Sequence, residues 1–450
     1  MANVIKLRKG LDISIEGKAR EELISVDKPK LYSLIPDDYI GIFPKVAVKE
    51  QEVVKAGTPL LFDRNNPEIK FVSPVSGVVK QVQRGARRKI LNIIVEADKE
   101  QQYVDFGVKK LSDLSREDVI QTMLASGLFA FFKERPYDVV ANPKAKPKAI
   151  FISAFDSNPL ARSFEYALLG QEENFQYGLD VLAKITKVHL GISVKSKSKA
   201  LIEAKNVTVT AFDGPHPAGN VGVHIHHVSP INAGEVVWTI DPEAVLFIAR
   251  LFKTGKVDFT RTIAITGSEV KSPSYAKVIV GSQLTDLFET NVKDTTKSLR
   301  YISGNVLTGR KIEKDSFLGA MHTQVTVIPE GDDVNELFGW AMPRLKQFSV
   351  NRSYLTWLLP KKKYTFDARV KGGHRNMIMS NEYDKVFPMD ILPEFLIKSI
   401  IANDIDRMEQ LGIYEVAPED FSLCEFVCSS KMELQKIVRE GLDRLRKEMC

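Results

Sequence analysis

The chain has 450 residues, 44% hydrophobic and 27% charged, with a formal net charge of +6. That length calls for about three or four domains rather than one core, and the composition is ordinary for a soluble globular protein. Three cysteines do not make a disulfide framework.

The basic clusters are dispersed: "RGARRK" at 84–89, "KAKPK" at 144–148, "KSKSK" at 195–199 and "KKK" at 361–363. None is interleaved with aromatics that would stack on bases, so nucleic acid is not an expected partner. The opening "MANVIKLRKG" lacks an apolar export signal, and runs such as "AVLFIA" at 244–249 fall far short of the ~20 residues of a membrane span. The expected location is cytoplasmic, with membrane attachment only through a partner.

The first hundred residues read as β. "AVKEQEVVKAGTPLLF" and "IKFVSPVSGVVKQVQ" alternate apolar and polar residues, with Gly57, Pro59, Pro74 and Gly77 at the corners. "LSREDVIQTMLASG" predicts a helix capped by Ser115 with Asp118 three residues on. "AIFISAF" at 149–155 is a continuous apolar run, the mark of a buried parallel strand. A helical run follows from Phe164, then "KNVTVTAFDGPHPAGN" as strand into loop, then a helix from Asp241 and Pro242 to Gly255. This alternation predicts an α/β layer. Short strands return in "FTRTIAITG", "AKVIVG" and "TQVTVIP". The tail is helical, with Leu434, Ile437, Val438, Leu442 and Leu445 on one face.

"VKAGTPLLFDRNNPEIKFVSPVSGVV" resembles the biotinyl/lipoyl hammerhead. In that family a hairpin tip presents an acylated lysine eight residues before the proline. Counting back from Pro74 reaches Asn66, whose amide cannot form the bond, so only the barrel-sandwich scaffold is expected. With "IKLRKGLDISIEGKA" before it, the α/β layer after it and the strand-rich "ITGSEVKSPSYAKVIVGSQLTDLF", the order resembles the Rnf-complex C subunit and the flavin-binding subunit of respiratory complex I. The last segment resembles their soluble-ligand-binding β-grasp domain.

Those relatives cradle the FMN phosphate in a glycine-rich loop, where any Cβ would occupy the cofactor's space. Here "SGLFAFFKERPYD" at 126–138 keeps only Gly127. Phe129, Phe131 and Phe132 either fill the core or form an apolar slot beside Lys133 and Arg135. Such a slot suits a quinone, whose ring gains from burial while a cationic donor polarises a carbonyl. "FDSNPLARSF" at 155–164 keeps only Asp156 of the relatives' acidic segment, which weakens any NADH site. "FDGPHPAGNVGVHIHHVSP" at 212–230 gathers most of the seven histidines. Read as a strand, "VGVHIHH" places His224 and His226 on one face. No Cys, Asp or Glu stands at ligand spacing beside them, so cleft-lining polar residues are expected rather than a metal site, with His216 and His224 as weaker quinone-donor candidates.

"APEDFSLCEFVCSSKMELQKIVREG" has the frame of the relatives' ferredoxin-type motif. Cys424 and Cys428 hold the third and fourth ligand positions, while Pro418 and Phe421 hold the first two. Two thiolates cannot hold a four-iron cluster. Cys450 is a lone terminal thiol.

Together with "RPYDVVANP", "DSNPLA", "GPHPAGNVGVHIH" and "CEFVCSSK", these losses on one scaffold identify a resemblance, over essentially the whole chain, to the A-subunit family of the Na+-translocating NADH:quinone reductase. The expected domains are a barrel-sandwich hybrid at 1–102, a Rossmann-like α/β domain at 103–255, a soluble-ligand-binding β-grasp module at 256–335 and a helical domain at 336–450. The resemblance implies a peripheral subunit on the cytoplasmic face of the bacterial inner membrane, docked on membrane-embedded subunits. The same resemblance implies that it binds no cofactor or metal itself. FAD, FMN, riboflavin and iron–sulfur centres lie in other subunits, and ubiquinone or menaquinone is the electron acceptor. Phe129, Phe131, Phe132 and Arg135, with His216 and His224, are the expected quinone contacts. The alternative is a structural clamp with no ligand site.

Overall fold

A computed structural model describes residues 3–294, 296–332 and 342–449. Cys450 and the expected boundary at 335/336 lie outside the described residues.

The centre is a seven-stranded sheet. Ile150–Ser153 pairs in parallel with Val188–Ser193 on one side and Val237–Thr239 on the other. Its apolar residues are buried, as a strand covered on both faces requires. Thr208–Asp213 adds in parallel beyond Val188–Ser193, and Asn3–Lys6 beyond that, from Asn3 opposite Thr210 to Lys6 opposite Asp213. The first strand, expected with the sandwich, therefore belongs to the α/β sheet. Lys133–Arg135 and Val139–Val140 close the opposite edge antiparallel.

The helix Arg116–Ser126 has the expected start, with Ser115 and Asp118 in a reciprocal capping box. The helical run from Phe164 is broken at Gly170 (φ +76°) into Phe164–Leu168 and Glu172–Leu182. The second piece packs against Pro242–Thr254. A Cβ on Gly178 would stand 2.4 Å from the Val245 carbonyl oxygen, so only glycine allows this approach. "VGVHIHH" is not a strand: Val221–Val228 is a helix. It lies in the connection between the parallel strands Thr208–Asp213 and Val237–Thr239, and a parallel crossover needs a helix-length excursion.

The sandwich has one sheet ordered Leu31–Leu34, Ile90–Ala97, Gly77–Arg84, Val53–Val54 and another ordered Pro44–Val46, Pro59–Asp63, Lys70–Val72. Asn66 lies in the turn between the last two, its carbonyl accepting from Ile69 N at 2.9 Å. A further six-stranded sheet runs Arg310–Ile312, Leu299–Ser303, Gln324–Pro329, Thr260–Thr266, Ser274–Ile279, Leu23–Ile24. The C-terminal helices Glu382–Val386, Pro393–Ala402, Ile405–Gln410, Ser422–Val427 and Leu434–Met449 share one apolar core with Leu7, Ile13, Ile15 and Phe212. Leu434, Val438, Leu442 and Leu445 are buried in it, while Ile437 is half-buried. Among the described residues, no helix is long and apolar enough to cross a membrane.

Candidate functional site

Gly127 ends the helix Arg116–Ser126 in the left-handed region (φ +77°), and a Cβ there would meet Val72 Cγ1 at 2.8 Å. Its freedom serves a helix end packed on the sandwich. Leu128–Phe131 then makes a tight 3₁₀ turn that points its side chains inward. Phe129 and Phe132 are fully buried, with ring centroids 5.4 and 5.6 Å from Trp238. Phe131 is 4% exposed and packs 5.7 Å from Phe247, 5.9 Å from Phe259 and 6.4 Å from Tyr39. The cavity beside it measures only ≈ 20 Å³, room for about one water and far below the several hundred Å³ of a ligand pocket. The three rings are core, joining sandwich to α/β layer, and the turn does not fit a flavin phosphate.

Arg135, on the strand that follows these rings, points elsewhere. It is 1% exposed; Nη1 lies 3.1 Å from Asp420 Oδ2 and Nη2 2.6 Å from Glu419 Oε1, with Asp138 Oδ1 3.8 Å from Nε. Burial pulls the guanidinium pKa down, but Asp420, Asp138 and Glu419 outweigh it and hold it above its ordinary value. Burial pushes Asp420 up to about 6 against the pull of Arg135. Both are ionised at neutral pH, which the two close donors to Asp420 Oδ2, Arg135 Nη1 and Ala417 N at 2.9 Å, support. Lys133 pairs with Asp138 at 3.8 Å. Asp420 and Glu419 were not singled out from sequence. Their signal was their place inside the incomplete cluster motif, since a buried arginine requires carboxylate partners.

The histidines are not gathered into one site. His224 stacks on Phe212 with centroids 3.9 Å apart, bonds through Nε2 to the Ala218 carbonyl at 2.8 Å, and faces Gly191, where a Cβ would stand 2.2 Å from Nδ1. His216 lies with its Nδ1 3.0 Å from Ser157 Oγ, which also accepts from Gly219 N. Burial pulls both imidazoles down to about 4, so they are neutral near pH 7. His226, half-buried, bridges Glu415 (2.7 Å) and the Asp390 N–H (2.9 Å) and ties the α/β layer to the helical domain.

Cys424 and Cys428 are buried free thiols in the helical core. Tyr383 Oη lies 2.8 Å from Cys428 Sγ, and Phe421, in the second ligand position, packs on Phe387 at 5.0 Å. Burial raises the Cys424 pKa well above its ordinary value, which disfavours the thiolate that metals bind. No group of three or more metal-ligating side chains occurs among the described residues. Tyr383 thus occupies the space facing the Cys428 thiol.

Family models match most of this architecture: the NqrA N-terminal barrel-sandwich hybrid domain at residues 5–98, the NqrA second alpha/beta domain at 114–257 and the NQRA C-terminal domain at 262–314. Proteins named as the A subunit of the Na(+)-translocating NADH-quinone reductase are similar over 99% of this chain and 100% of their own length. Those from Neisseria meningitidis serogroup B, Klebsiella pneumoniae strain 342 and Vibrio alginolyticus are each 35% identical. Among solved structures, an NAD+-reducing [NiFe]-hydrogenase aligns over 50% of this chain and 48% of its own, at 15% identity and a TM-score of 0.34, a likeness too partial to carry an argument.

Proposed function

The chain belongs to the A-subunit family of the Na(+)-translocating NADH-quinone reductase, and on that premise we propose that it serves this oxidoreductase as a cofactor-free peripheral scaffold. In this reading it docks on the cytoplasmic side against the membrane-embedded subunits, and the flavins and iron–sulfur centres belong to its neighbours. The carrying observation is the turn Leu128–Phe131, whose phenylalanines fill the space a flavin phosphate would need. The lysine of a swinging arm and half of a cluster's ligands are likewise replaced, by Asn66, Pro418 and Phe421.

A second reading keeps quinone handling at the same place. It is favoured by the small void lined by Tyr39, Phe71, Gly127, Phe131 and Phe259, which a partner would have to enlarge before a quinone ring entered. Titrating the folded chain with a short-tail ubiquinone, followed by tryptophan fluorescence, separates the two. The scaffold reading expects no saturable binding, and Phe131→Ala to lower thermal stability and incorporation into the complex together. Saturable binding that disappears in a still-folded Phe131→Ala chain would transfer the assignment to quinone binding.

A further inference from the structure

From Pro343 to Phe366 the chain carries Arg344, Lys346, Arg352, Lys361, Lys362 and Lys363 and no acidic residue. The remaining Lys and Arg, 57 of 63, are balanced by 57 Asp and Glu, so this one stretch accounts for the whole net charge of +6. Lys346, Arg352, Lys361 and Lys363 are exposed and form no ion pair among the described residues. Just beyond the stretch, Arg369 and Lys371 pair with Asp367 at 2.7 and 3.7 Å.

The same stretch exposes large apolar side chains. Leu355, Trp357, Leu358 and Leu359 are 56, 44, 59 and 47% exposed, and Leu345 is 53% exposed. Isolated exposed leucines mean little, but four within five positions make a patch. The turn Leu355–Leu358 is held from beneath. Thr356 is buried and donates its hydroxyl to the Gln347 carbonyl at 2.7 Å, and Lys362 Nζ donates to the Leu345 carbonyl at 2.7 Å. With Thr356 anchored inward, its neighbours face out. The Arg352 guanidinium lies 5.0 Å from the Trp357 ring centroid, keeping cation and indole together.

We propose that this turn is a contact for an anionic lipid surface, with Leu355, Trp357, Leu358 and Leu359 entering the headgroup region and Lys346, Arg352, Lys361 and Lys363 at the phosphates. Trp and Leu beside Lys and Arg are the composition of interfacial anchors. A protein partner is the poorer occupant, because the centres of protein interfaces are depleted in lysine. The inference rests on the peripheral-scaffold reading and adds to it a surface and a partner.

The test floats the full-length chain with vesicles of phosphatidylcholine alone or mixed with phosphatidylglycerol, at low and high salt. Binding is expected only to the anionic vesicles, weakening with salt and shifting tryptophan emission to the blue, a shift lost in Trp357→Phe. Each lysine near an anionic surface is worth about a fivefold partition change. Lys346→Gln, Lys361→Gln and Lys363→Gln combined should therefore lower partitioning about a hundredfold with the circular dichroism unchanged. Leu358→Ser with Leu359→Ser should also weaken it. Absence of flotation, equal binding to neutral vesicles, or an unaffected triple variant each overturns the proposal. A triple variant that floats normally but drops out of the detergent-solubilised reductase overturns it in favour of a protein contact. A wild-type chain that floats yet never co-purifies with the membrane subunits sinks the peripheral-scaffold reading and leaves the lipid contact standing.

Discussion

Arg135 shows how one residue can look like a ligand donor in sequence and act as a tie in the fold. Its guanidinium leaves the aromatic cluster and crosses to Glu419 and Asp420 beside the cysteine helix. Removing one partner from a buried pair leaves an unpaired charge and costs about 3–5 kcal/mol. Arg135→Met should therefore lower unfolding free energy by that amount in denaturant melts, and adding Asp420→Leu should recover part of it. A single variant as stable as wild type would mean the network holds nothing together. The cysteines nearby carry a simpler expectation. Cys424 and Cys428 are at most 1% exposed and burial suppresses the Cys424 thiolate. A maleimide should leave both unmodified in the native chain and label both in denaturant, read by peptide mass spectrometry; native labelling would show that the helical core opens.

Among the elements, Gly127 separates two explanations of one glycine. As a remnant of a phosphate loop it would tolerate alanine. As a left-handed helix end against Val72 it should not, since that conformation costs an L-residue about 1–2 kcal/mol before any clash. Gly127→Ala is expected to shift the melt by at least that amount, and a neutral result would contradict the packing. Much at this scale was legible in the sequence, because caps and periodicity are local: Ser115 with Asp118, Asp241 with Gly255, and the apolar run at Ile150 all stand where their residue types require. What was not legible depends on tertiary context. Val221, Val223 and Ile225 alternate with Gly222, His224 and His226 as a strand would, yet the crossover between parallel strands imposes a helix. Nor does the local pattern of Phe129, Phe131 and Phe132 distinguish a slot from a core. That depends on Tyr39, Trp238, Phe247 and Phe259, which come from distant parts of the chain.

In the whole molecule the modules are interlocked rather than strung together. Phe71 and Val72 of the sandwich share a core with Phe131 and Phe247 of the α/β layer, while Leu7 and Phe212 join the helical core. His224 lies at the second junction, stacked on Phe212, and His216 bonds to the neighbouring Ser157. Both are neutral in the folded chain, with values near 4 against about 6.5 when unfolded. A depressed folded value means the unfolded chain binds the proton first. The stability these histidines contribute is therefore complete above about pH 6.5 and is lost as pH falls toward 4, at about 1.4 kcal/mol per pH unit for each. Asp420 works in the opposite sense. Its folded value of about 6 exceeds the ordinary carboxylate value, so it adds stability as pH falls through 6 and masks part of the histidine effect. The informative quantity is thus a difference between two chains. His224→Gln should melt below wild type at pH 7, because it loses the stack on Phe212, yet its stability should decline less between pH 6.5 and 4, by about 3 kcal/mol. Parallel pH curves for the two chains would show that His224 is not held neutral at this junction.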